Sequence, residues 1–146
     1  MLLLKNYFSS LLTGLLWQLL ESTHSQVAQM AVPILMHSVG LPGGADVLWK
    51  ALDTDFQSED WRTRFAAVER VTVIFRFLPE NMGKRNTNSV KSVLSHAFCC
   101  LIACMEDLTP QVSQQANLFL GTVHDASIKT LIQCLEYQFD NVPIGM

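Results

Sequence analysis

At 146 residues, 49% of them apolar and only 16% charged, the chain has material for a sizeable core and little charge to clothe it. Soluble domains carry about a quarter charged residues, so this composition predicts apolar surface that a further segment or partner covers. The net charge is −3 and the single adjacent basic pair is Lys84–Arg85, which argues against the clustered positive charge that nucleic-acid binding needs.

Residues 1–21 open with a leucine-rich run that resembles a signal peptide or a membrane span. The pattern favours an amphipathic core helix, with Leu4, Phe8, Leu11, Leu12, Leu15, Leu16, Leu19 and Leu20 on one stripe and Lys5, Asn6, Ser9, Ser10, Thr13 and Gln18 largely opposite. A spanning helix is apolar all round, and a signal peptide needs a small-residue cleavage site. No membrane insertion is expected.

A second helix is expected over 25–39, carrying Val27, Met30, Ala31, Ile34, Leu35 and Met36, with Pro33 inside it removing one backbone hydrogen bond. Gly40 is the candidate left-handed cap that ends it. The glycines at 43 and 44 lack the lysine and hydroxyl of a phosphate loop and read as a plain turn. A short helix over 45–56 follows with Val47, Leu48, Leu52 and Phe56, and Trp49 is expected in a core or groove.

The most strongly patterned stretch is 58–78. Ser58, Glu59 and Asp60 offer a cap and negative charge at the helix start. Phe65, Val68, Val71, Thr72, Phe75 and Leu78 recur at helical spacing, and Pro79 ends the run. The segment 80–88 is polar and aperiodic, a connector. Helices are then expected over 89–105, apolar enough to be buried between neighbours, over 112–123 with Thr109 and Pro110 at its start, and over 126–139. The sum is an all-α chain of about seven helices, expected to form one unit over 1–146.

Three helix starts echo one another. Val27 and Ala31, Thr63 and Ala67, and Val112 and Ala116 each place a β-branched residue one turn before an alanine. The alanines are 36 and 49 residues apart, which brackets the period of roughly 40–47 residues of HEAT and armadillo arrays. A HEAT/armadillo-like α-solenoid segment is therefore expected. A plain helical bundle has the same amphipathic helices but no reason for the echo.

Candidate chemistry is sparse. His96, Cys100 and Cys104 fall at i, i+4 and i+8, with Cys99 beside them. Zinc takes four ligands in a tetrahedron, which one straight helix cannot wrap; a second element would have to bring Cys134 or His124 close. Reduced thiols packed as small apolar groups are the favoured reading, with no metal and no cofactor. Cys–His nucleophilic catalysis needs a base and an orienting group in one pocket, and no such set is visible, so no catalytic residue is expected. Asp53, Asp55, Glu59 and Asp60 lack the following glycine and glutamate of a calcium loop and read as caps and a solvated edge. Glu69, Arg70, Arg62, Arg64 and Arg76 are expected at the surface.

The runs AVPILMHSVGLPGGAD (31–46), DWRTRFAAVERVTVIFRFL (60–78), LSHAFCCLIACMEDLTPQV (94–112) and CLEYQFDNV (134–142) resemble an internal segment of the uncoordinated-seventy-nine family. In order, they span 31–142. The resemblance implies part of a very large α-solenoid, a cytoplasmic auxiliary subunit of the neuronal sodium-leak channel, peripheral to the plasma membrane. Its implied partners are the channel's pore subunit and the uncoordinated-eighty protein, and it brings no catalytic residues. The expected function is a non-catalytic protein-interaction scaffold. The alternatives are a small-molecule-binding helical bundle, which requires an enclosed pocket with convergent polar groups, and a metal-dependent enzyme.

Overall fold

The computed structural model describes residues 2–21, 25–78 and 88–122, together with 128, 129, 131–133, 135 and 136; within these, side chains are described from Tyr7 onward, Ser25 excepted. Among these residues there is no strand. The helices are α1 (Leu2–Leu19), α2 (Ser25–Val39), α3 (Gly44–Phe56), α4 (Trp61–Arg76), α5 (Asn88–Ala103) and α6 (Pro110–Leu120), with a 3-10 turn at Cys104–Glu106 between the last two. The described positions between 128 and 136 are helical, which agrees with the helix expected over 126–139.

α1 buries a different face from the one its leucines suggest. Ser9, Thr13, Leu16, Trp17 and Leu20 are buried, whereas Phe8, Leu11, Leu15 and Leu19 are exposed. The buried hydroxyls are satisfied. Ser9 Oγ donates to the carbonyl of Pro42 at 2.6 Å, Thr13 Oγ1 lies 3.0 Å from Ser38 Oγ, and Ser38 Oγ donates to the carbonyl of Leu35 at 2.9 Å. A bonded hydroxyl is inexpensive to bury, so α1 turns this small polar seam and Trp17 inward.

α2 matches its expected span and carries Pro33 on its exposed side. There the carbonyl left without an amide partner has access to water. Gly40 is not the left-handed residue: Gly43 is, at φ 84°, among the described residues. The Gly40 amide instead bonds back to the carbonyls of Met36 and His37, at 3.3 and 3.1 Å. Gly44 opens α3 against the end of α2, where an added Cβ would strike the Ser38 carbonyl. These two glycines set the tight α2–α3 corner.

α4 is capped as its sequence implies, Asp60 Oδ1 accepting from the Arg62 amide at 3.0 Å. It buries Ala67, Val68, Val71, Ile74 and Phe75, with Thr72 Oγ1 donating to the Val68 carbonyl at 2.8 Å. α5 buries Val90, Val93, Leu94, Ala97 and Leu101. By length and composition alone, Asn88–Glu106 is long and apolar enough to cross a membrane, but these residues place α5 in the core. α6 starts at Pro110 and buries Val112, Ala116 and Phe119. α1 packs on α2 and α3, α3 on α4 and α5, and α4 on α6. Among the described residues one core cluster runs from Leu16 to Leu131.

Candidate functional site

Among the described residues, a group of potential metal-ligating side chains lies between α3 and α5. α3 presents Trp49 and Asp53 one turn apart, and α5 presents His96 and Cys100 one turn apart. The Trp49 and His96 rings stack with centroids 3.9 Å apart and planes 3° from parallel. His96 Nε2 is 2.7 Å from Asp53 Oδ1 and 3.7 Å from Cys100 Sγ. The three donor atoms lie within 4.8 Å of one another. Trp49, expected in a core or groove, is partly exposed at 38% and fixes the imidazole plane.

This is not the geometry of a Cys–His–Asp nucleophile. In such a triad the acid holds one ring nitrogen and the nucleophile faces the other. Here Asp53 and Cys100 both approach Nε2. Burial, reinforced by the Asp53 carboxylate, also pushes the Cys100 thiol up to about 11, so the sulfur stays protonated and weakly nucleophilic near neutral pH.

Cys104 stands apart from the group. It is buried in the 3-10 turn, its thiol raised to about 11 by burial and the Asp107 carboxylate. Cys99 is exposed, so not all of these thiols pack as small apolar groups. The element facing His96 and Cys100 is α3 through Asp53; Cys134 and His124 lie outside the described residues.

The arginines of α4 depart most from their expected surface placement. The side chain of Arg70 is only 5% exposed; it reaches Glu21 Oε1 at 2.7 Å, Asp55 Oδ2 at 3.2 Å and Gln18 Oε1 at 3.2 Å. Its guanidinium carbon lies 5.3 Å from the centroid of the Trp17 ring, and the Trp17 indole N–H donates to Asp55 Oδ2 at 2.9 Å. Arg70 Nε is buried without a hydrogen-bond partner. Asp55 is thus an internal anchor for α1 and α4 rather than part of a solvated edge. Arg70 lies off the stripe marked by Phe65, Val68, Val71, Thr72, Phe75 and Leu78, so the helical pattern gave no sign of its burial.

Arg64 makes a second tie. Nε and Nη2 donate to the Asp107 carboxylate at 2.8 and 3.1 Å, Nη1 donates to the Ser58 carbonyl at 2.7 Å, and Nη2 also reaches Thr109 Oγ1 at 3.3 Å. Thr109 occupies the cap position of α6, yet its hydroxyl makes no capping bond there. The Arg64 hydrogen bond holds the Asp107 carboxyl below its usual range, helped by the Thr109 amide. Glu69, Arg62 and Arg76 are exposed, as expected.

Beside Arg70 lies an open cleft of about 340 Å³ lined by Gln18, Glu21, Asp55 and Arg62. Its charged and amide walls differ from the mostly apolar enclosure that binds drug-sized molecules. The other prominent surface is apolar. Tyr7, Phe8, Leu11, Leu15 and Leu19 are 47–66% exposed along α1, and Val27, Met30 and Ile34 are 37–69% exposed along α2. Leu108, Leu118 and Leu120 are exposed at and beside α6. A search against protein-family models finds none that matches the chain.

Proposed function

We propose that this chain is a non-catalytic protein-interaction scaffold, a HEAT/armadillo-like repeat segment whose helices continue a stack. The carrying observation is the exposed apolar stripe of α1, Phe8, Leu11, Leu15 and Leu19 at helical spacing, with a second stripe on α2. Single exposed leucines are ordinary, but periodic stripes on adjacent helices are surfaces that a neighbour covers.

Two further features support a repeat array. α1 packs on α3 and α3 on α5, while α4 packs on α6. Such next-but-one contacts arise when helical hairpins stack in two layers. The echoed alanines Ala31, Ala67 and Ala116 are all buried, although of their β-branched companions Val112 alone is. What the three echoed starts share in the fold is the buried small residue, which admits a close neighbour.

The resemblance to the uncoordinated-seventy-nine family supplies the proposed context: a cytoplasmic auxiliary subunit of the sodium-leak channel, at the plasma membrane through its partners. The test is a pull-down of the tagged chain from neuronal membrane extract, read by mass spectrometry. Recovery of the channel's pore subunit or the uncoordinated-eighty protein is the expected result. A folded chain that recovers neither overturns the channel assignment.

A further inference from the structure

We propose that Asp53, His96 and Cys100 form a zinc-binding site, supplying three ligands of a tetrahedral centre whose fourth position is taken by water.

The donor set carries the choice of metal. A thiol, an imidazole and a carboxylate together suit zinc, whereas calcium and magnesium take oxygen ligands. The geometry carries the site. Zinc bond lengths in a tetrahedron put sulfur and nitrogen ligands roughly 3.6 Å apart, and nitrogen and oxygen ligands roughly 3.4 Å apart. Cys100 Sγ and His96 Nε2 already stand 3.7 Å apart. Asp53 Oδ1 is closer to Nε2, at 2.7 Å, which is hydrogen-bond distance. Zinc takes the place of the hydrogen bond between them, the Cys100 thiol proton leaves to solvent, and the Asp53–His96 pair opens by roughly 0.7 Å. The Asp53 side chain is 40% exposed and has room for that movement.

Both partners approach the same ring nitrogen. That disfavours a catalytic triad, and it is what a common metal centre requires. The two helices make the set convergent: one turn of α5 aligns His96 with Cys100, and α3 brings Asp53 across to them. Trp49, stacked on the imidazole, is a positioning residue, fixing the ring plane as outer-shell groups do for metal-bound histidines. The partial exposure of Asp53 and His96 leaves a route for the ion and for its water ligand.

The experiment uses the full chain, stripped of metal and kept reduced, titrated with zinc alone by calorimetry. Cobalt substitution then supplies a thiolate-to-cobalt charge-transfer band. The expected result is one zinc per chain, with the charge-transfer band present. Cys100→Ser should abolish that band and weaken zinc binding by more than about tenfold, since losing even an outer-shell group costs 10–100-fold. Asp53→Asn should weaken binding, and Trp49→Leu should weaken it while leaving the band in place. Cys99→Ser and Cys134→Ser, which spare the three ligands, should bind as the parent does. Far-UV circular dichroism establishes that each variant is folded. No zinc binding by the folded parent chain overturns the proposal, and so does zinc or cobalt binding that survives Cys100→Ser and is lost in Cys99→Ser or Cys134→Ser.

Discussion

Arg64 and Asp107 illustrate how individual residues tie distant elements of this chain together. The pair joins the first turn of α4 to the turn before α6, 43 residues away, and both side chains are mostly buried, at 17% and 10% exposure. Because the folded Asp107 carboxyl is held below its unfolded range, its contribution is complete above about pH 4 and is lost as pH falls through the lower folded value. Asp107→Asn should therefore flatten the acid side of the stability–pH profile, measured by urea unfolding from pH 7 to pH 3. An unchanged profile would show that the pair contributes nothing. Arg70 sits deeper. Arg70→Ala should cost about 3–5 kcal/mol by leaving Asp55 without its charge partner. Arg70→Lys should recover only part of this, because an ammonium cannot fork between Glu21, Asp55 and Gln18. Equal stability of the lysine variant and the parent would contradict the forked geometry.

At the scale of elements, much was legible in the sequence, because period and punctuation are local properties. α2 spans the residues its periodicity implies, α4 begins after the Asp60 cap, and α6 begins at Pro110. What misled was the facing of α1. Leucine spacing identified a stripe, but whether a stripe turns inward depends on what lies opposite, and Ser38 and Pro42 reward Ser9 and Thr13 instead. The corner after α2 differs for a similar reason: α2 ends ahead of Gly40 without a left-handed residue, and the left-handed glycine is Gly43, at the start of α3. Ala67 and Ala116, both fully buried, were legible as close-approach positions. Replacing either with leucine should overpack a helix interface and cost about 1–3 kcal/mol in urea unfolding. An unchanged midpoint would show that no neighbour approaches closely there. Leu11→Glu and Leu15→Glu, on the exposed stripe, should change stability by no more than about 0.5 kcal/mol. A larger loss would mean that the stripe is covered within the chain.

At the scale of the whole molecule, composition foretold apolar surface in need of cover, and such surface exists on α1 and α2 and beside α6. The side-chain clusters were less legible. Asp53 and His96 are 43 residues apart, as are Arg64 and Asp107, and no local pattern announces a pairing over that distance. The sequence showed His96 and Cys100 on one face but could not show that Asp53 would meet them. Nor could it show that Trp17, Asp55 and Arg70 would meet. The central claim, a protein-interaction scaffold whose exposed α1 stripe a neighbour covers, is tested most directly, with the uncoordinated-eighty protein as the proposed neighbour, by binding of the purified chain to that purified protein. The measurement compares the parent chain with a Leu11→Glu/Leu15→Glu double variant shown to be folded. The account predicts a complex with the parent and a loss of affinity of more than about tenfold, or about 1.4 kcal/mol, in the variant. No complex with the folded parent, or an equal affinity of the two chains, would contradict it.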